Sequence, residues 1–168
     1  MRVELINPFL ASTCDVFRTM LNSDITRGVP GLKQTHTPEF EVSGLIGFSG
    51  TYHGMVVVSL SRDTAISITE TMLGQRPESI DEDVIDTVGE VTNMIAGGAK
   101  AKLEQYQLNI SLPTVICGKH HAVSFPSSST PITLPFDTDL GPISIDIGLA
   151  PADPAAEEEA ESSVAADA

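Results

Sequence analysis

Residues 39–60, EFEVSGLIGFSGTYHGMVVVSL, decide the fold. Residues 39–49 alternate apolar and polar side chains as a strand does, and 53–60, HGMVVVSL, form a second strand after a turn that opens at Gly50. A short turn of this kind joins antiparallel neighbours. The stretch therefore predicts an antiparallel hairpin with one face to bury, and the flanking chain supplies helices to bury it. Upstream, residues 7–21, NPFLASTCDVFRTML, predict a helix with Asn7 as its cap and Pro8 at its first position. Phe9, Thr13, Val16, Phe17 and Met20 would form its buried stripe. Downstream, Arg62 to Leu73 predicts a short helix with Ile66, Thr69 and Leu73 at helical spacing, stopped by Gly74.

A longer helix follows. Ser79 with Glu82 reads as a capping box, and Asp81, Glu82 and Asp83 are acids where the helix dipole favours them. The helix is expected to run to about Tyr106, weakened at Gly97-Gly98. Gly98 falls on the buried side, which predicts close packing against a neighbouring element. Strands are then expected at 112–118, 121–125 and 142–149, with loops over Asn22 to Pro38 and Ser127 to Pro135. The last strand, PISIDIGL, is rich in β-branched residues and is expected to be an open sheet edge on which two copies could pair. The predicted fold is α/β, of α+β type: a two-layer sandwich, mostly antiparallel sheet, helices on one face. Residues 1–150 form one domain, and 151–168 an acidic disordered tail without apolar periodicity.

Composition narrows the function. A formal charge of -14 argues against a nucleic-acid backbone as partner, and 5% aromatic residues with no tryptophan argue against a base-stacking platform. The longest apolar run, MVVV, is far too short to span a bilayer, and MRVELINPFL lacks the apolar stretch of a signal peptide, so a cytoplasmic protein without membrane attachment is expected. Cys14 and Cys117 read as two buried reduced thiols. His120 and His121, as adjacent strand residues, would face opposite sides; His36 and His53 are isolated. No Cys/His spacing suits zinc, no glycine loop of the Walker or dinucleotide type is present, and no nucleophile elbow occurs. No metal and no cofactor is expected on this chain.

One surface remains. In DTVGEVTNMIAGGAK, residues 86–100, a turn of about 100° per residue puts Val84, Val88, Val91, Ile95 and Ala99 on one stripe. Asp86, Glu90, Asn93, Gly97 and Lys100 fall on the opposite face. A solvated polar face is the plain explanation of such a pattern. The functional one rests on the order of groups: a carboxylate, a second carboxylate one turn on, an amide three residues later, and a glycine that leaves room for another surface. An amide can donate and accept, so it can hold a water for in-line attack; a carboxylate can pair with a partner's lysine. Hydrolysis of a phosphorylated partner fits, with the partner supplying magnesium.

The motif D-TVG-E-VT-N resembles that of the CheC/CheX/FliY phosphatases, which act on phosphorylated CheY in bacterial chemotaxis. NPFLASTCDVFRTM resembles their first helix, SGLIGFSGTYHGMVVVSLS their hairpin, and LPTVICGKHH the strand after their active helix, so the likeness covers roughly residues 3 to 149. CheC-type members carry two motifs. Here the first helix has Asp15 and Thr19 but no Glu-x-x-Asn, so the resemblance points to the CheX branch. It implies that Asn93 orients the attacking water, that Glu90 docks the phosphate-site lysine of a phosphorylated CheY-like response regulator, and that Asp86 is a peripheral helper at most, while Gly97, by its place on the face, leaves room for that partner. It also implies Mg2+ supplied by that partner and a homodimer joined through the sheet. The alternative is a non-catalytic adaptor, or a module like the flagellar switch proteins, that binds a receiver domain.

Overall fold

The computed structural model describes residues 3–153. Three helices, α1 (Val3–Thr19), α2 (Arg62–Leu73) and α3 (Glu82–Ala101), accompany eight strands: β1 (Ile25–Arg27), β2 (Gly31–Leu32), β3 (Val42–Ser49), β4 (Tyr52–Leu60), β5 (Asn109–Ile110), β6 (Thr114–Cys117), β7 (Ile132–Thr138) and β8 (Gly141–Pro151). All belong to one antiparallel sheet of order β1-β7-β8-β4-β3-β5, with β2 beside β7 and β6 beside β3. The hairpin read from 39–60 is the pair β3 and β4. The fold class read from the sequence is the one observed.

Alternation along the strands sets the two layers. Val56, Val58 and Leu60 of β4 join Ile143, Ile145, Ile147 and Leu149 of β8 in the core with α1 and α3. On the other face lie Val57, Ser59, Ser144 and Asp146, also buried, although no helix covers them. Irregular chain does so instead. Lys33 reaches Asp146 at 2.8 Å, Val123 N–H donates to the His36 carbonyl at 2.7 Å, and Phe125 packs so closely on Gly148 that a Cβ there would lie 2.8 Å from its Cγ.

That arrangement overturns several sequence expectations. Residues 121–125 are not a strand; Val123 is buried as part of the cover, which produced the strand-like pattern. His120 sits in a turn with φ 67°, and His121 bonds Ser43 Oγ (3.0 Å) and the Gly118 carbonyl (2.8 Å), so the two do not alternate across a sheet. Residues 132–138, read partly as loop because of Pro131 and Pro135, are β7. Pro135 is tolerated because its carbonyl, accepting from Gly28 N–H at 2.8 Å, points to the outer side of the strand. In an antiparallel strand a residue's N–H and C=O point the same way, so the missing donor falls in the gap between β1 and β2. PISIDIGL is not an edge: β8 is paired along its length by β4 on one side and β7 on the other. The edges are β1 with β2, and β5 with β6.

The helix ends shift as well. α1 begins by Val3, with Pro8 inside it and Asn7 not its cap. Leu5 and Ile6 are buried, and at about 1.5–3 kcal/mol each they offset the roughly 3 kcal/mol cost of an internal proline. Met20, expected in the stripe, is 57% exposed beyond the helix end, and Leu73 at the end of α2 is exposed too. α2 has the boundaries read from the sequence, closed by Gly74 at φ 75°. The cap of α3 is Asp81, not Ser79: its carboxylate accepts the Val84 N–H at 3.1 Å. Aspartate caps as well as serine, and the later start puts Val84 directly into the core. α3 stops at Ala101, and a tight turn buries Leu103 before a single 3-10 turn over Glu104–Tyr106. Cys14 is half-buried and Cys117 exposed, so neither is the buried thiol expected.

At the other end of the chain, β8 runs to Pro151 and Ala152 N–H bonds the Thr51 carbonyl at 2.9 Å, a little beyond the domain boundary read at 150. The acidic tail from residue 154 lies outside the described residues.

Candidate functional site

The site helix is held from three sides. Its stripe of Val84, Val88, Val91, Ile95 and Ala99 is fully buried. Each valine or isoleucine so buried stabilises that orientation by about 1.5–3 kcal/mol, so the helix cannot rotate about its axis without large loss. On one flank, Gly98 packs against Ser12 of α1, whose hydroxyl donates to the Ile95 carbonyl at 2.7 Å. On the other, Thr92 lies over Gly44 of β3, with its hydroxyl turned back to the Val88 carbonyl at 2.7 Å. Gly89 faces Pro113 and Val115, with room for ordinary contact only.

The opposite face is left to solvent. Asp86 and Glu90 are exposed, and Asn93 and Gly97 are half-buried. The structure brings together all four residues expected from the sequence. Among the described residues, no hydrogen bond or ion pair engages the side chain of Asp86, Glu90 or Asn93. Asp86 and Glu90 are four residues apart on one face, a like-charge pair that disfavours the isolated helix by a few tenths of a kcal/mol. Among the described residues no cation pairs with either carboxylate to offset it. Asn93, one turn from Glu90, shares that face. A Cβ on Gly97 would meet nothing within 4 Å, so the helix surface is open to close approach there. Further along, Lys100 is also without an ion-pair partner among the described residues, whereas Lys102 is 3.3 Å from Asp15.

The four residues lie on a convex helix surface. A small substrate would not be enclosed there, but a second macromolecule could cover the face and exclude water. Among the described residues no three His, Cys, Asp or Glu side chains group as a metal site. Cys117 is exposed as a residue, but partial desolvation of its thiol still pushes it up, away from the thiolate that a nucleophile needs. No helix among these residues is long and apolar enough to cross a membrane. No local pattern in the chain indicates that residues 110–113, joining β5 to β6, run alongside α3. Ile110 pairs with Phe48 of β3, Pro113 packs near Gly89, and Leu112 between them is 88% exposed.

Comparison with known proteins bears on the same region. The family model for chemotaxis phosphatase CheX matches residues 42–137, more than half the chain. The CheY-P phosphatase CheX of Thermotoga maritima is 27% identical over 122 residues, 71% of this chain and 79% of its own. A CheC-like superfamily protein from a Shewanella species superposes with a TM-score of 0.82 at 39% identity, over 89% of this chain and 99% of its own. CheX in a CheX-CheY-BeF3-Mg2+ complex from Borrelia burgdorferi gives 0.76 at 27% identity, over 88% and 99%. With the hairpin, the site helix and the two short strands β5 and β6 inside the matched span, the chain belongs to the CheX family of chemotaxis phosphatases.

Proposed function

We propose that this protein hydrolyses the aspartyl phosphate of a CheY-like response regulator, with Asn93 orienting the attacking water and Glu90 docking a lysine beside the receiver's phosphorylation site. One observation carries the reading: Glu90 and Asn93 stand together, without side-chain partners among the described residues, on the solvent face of a helix whose other face is locked in the core. A rigid helix supplies position, and position is most of what this reaction asks of a phosphatase. Water attacks phosphorus in line with the acyl oxygen. The P–O bond to the aspartyl carbonyl breaks, and inorganic phosphate and a free aspartate carboxylate leave.

The receiver supplies the rest. Magnesium on the phosphoryl oxygens belongs to the partner in this scheme, in keeping with the Borrelia burgdorferi assembly, which contains CheX, CheY and Mg2+ together. Asp86 and Gly97 serve docking, the first by its charge and the second by the space above it. A homodimer acting in the cytoplasm completes the proposal.

The test is phosphate release from a panel of phosphorylated receiver domains from the same genome. Acceleration of at least one, dependent on magnesium, supports the enzyme. Tight binding of a phosphorylated receiver without faster release would instead make the protein an adaptor.

A further inference from the structure

We propose that residues 110–113 and the groove beside them form a second docking element, which takes a bulky apolar side chain from the receiver domain covering Glu90 and Asn93; this rests on the function proposed above. The groove, of about 470 Å³, lies at the end of the site face; Gly97, Lys100 and Ala101 of α3 line it with Leu108 and Ile110, and Glu104 and Gln107 stand at its rim. Gly97 belongs both to the groove and to the face that carries Asn93, so a surface lying on that face meets the groove without a break.

The strip continues in the other direction. Ile110 is at the groove, and Pro113, three residues on, packs near Gly89. Along α3, Gly97 and Gly89 are about 12 Å apart at 1.5 Å per residue, and three extended residues cover about 10 Å. Residues 110–113 thus run beside the helix from Gly97 back to Gly89, flanking Asn93 and Glu90. Leu112, in the middle, projects with 88% of its surface exposed, although Ser111 before it is pinned by two 2.9 Å bonds with Gly47. An exposed leucine on a fixed backbone is an anchor rather than a loose loop tip.

Charge adds a direction. Asp86 and Glu90 lie toward one end of the face and Lys100 at the groove, all without ion-pair partners among the described residues. A receiver laying its lysine on Glu90 therefore presents an apolar side chain to the groove, whose rim carries both Lys100 and Glu104. The reverse orientation, with an acidic group of the receiver at Asp86 and Glu90, would set like charges against each other there.

Ala101→Trp fills the groove and Leu112→Asp spoils the ledge; both positions are exposed, so thermal melting should stay near that of the parent. With a phosphorylated receiver that the parent protein dephosphorylates, each change is expected to raise KM about tenfold or more and leave kcat within about twofold, the pattern for lost ground-state docking. Affinity for the same receiver loaded with beryllofluoride and magnesium should fall by the same factor. Unchanged KM in both variants overturns the docking element while leaving the phosphatase reading intact, since the parent's turnover is measured alongside. A change from dimer to monomer by light scattering, with KM unaltered, would assign the ledge to a second copy and equally overturn it.

Discussion

Ser12 and Gly98 interlock: the Ser12 hydroxyl donates to the Ile95 carbonyl at 2.7 Å, and a Cβ on Gly98 would overlap that hydroxyl and lie 3.2 Å from Ser12 Cβ. One contact ties α1 to α3 and fixes the height at which Glu90 and Asn93 stand above the core. Helix propensity alone would favour alanine at position 98 by about 1 kcal/mol.

Gly98→Ala is therefore expected to destabilise despite that propensity. Displacing the Ser12 hydroxyl costs its hydrogen bond and crowds the interface, together about 1–3 kcal/mol. Urea unfolding measures it. In a Ser12→Ala background the penalty of Gly98→Ala should shrink, because the overlapping oxygen is gone; an unchanged penalty would mean the strain lies elsewhere.

On the helix-free face, Lys33 and Asp146 form a buried ion pair at 2.8 Å, with Thr133 donating to the other carboxylate oxygen at 2.7 Å. Asp146 Oδ2 makes no hydrogen bond of good angle, yet it is the oxygen that the ammonium faces. Lys33→Met leaves a buried carboxylate with one hydroxyl for company and should cost about 3–5 kcal/mol in the same unfolding assay. Lys33→Met with Asp146→Leu should recover much of that.

These two contacts mark the limit of what could be read in the sequence. The apolar stripe of α3, the site face opposite it and the close approach at Gly98 follow from helical periodicity, which is local. The hairpin follows from alternation, also local. The strand through Pro135 did not, because its tolerance depends on a gap between two short strands about a hundred residues earlier in the chain. Nor did the internal position of β8, since β-branched residues suit an edge and a centre alike until both neighbours are known. Val123 and Phe125 carried a strand's pattern but belong to the irregular cover of the sheet, Val123 bonded to His36 and Phe125 lying on Gly148. Leu112 beside the site was invisible for the same reason: only tertiary packing brings it to α3.

Glu90 separates docking from chemistry. Glu90→Ala should raise the receiver concentration at half-maximal rate about tenfold, and Glu90→Lys should raise it further by facing the receiver's lysine with a like charge. Steady-state kinetics at varied receiver concentration, with binding measured in parallel, reads both. Unchanged affinity and rate in both variants would leave the carboxylate without a role.

The tail should be dispensable. Ala152 is bonded to Thr51, so a truncation that tests residues 154–168 ends after Asp153. It is expected to leave the proposed dimer intact by light scattering and turnover unchanged. A monomer would show that the acidic segment contributes to assembly.

Asn93 is the residue on which the mechanism turns. The decisive measurement is single-turnover phosphate release from a saturating complex with a phosphorylated receiver, comparing the parent with Asn93→Ala. Its side chain lacks a partner among the described residues, so melting should stay within a degree or two, roughly the scale of a neutral surface change. Losing one group that positions the transition state should slow release by about 10²-fold or more while receiver affinity holds. A folded Asn93→Ala protein that binds and hydrolyses at near the parent rate would contradict the proposed mechanism.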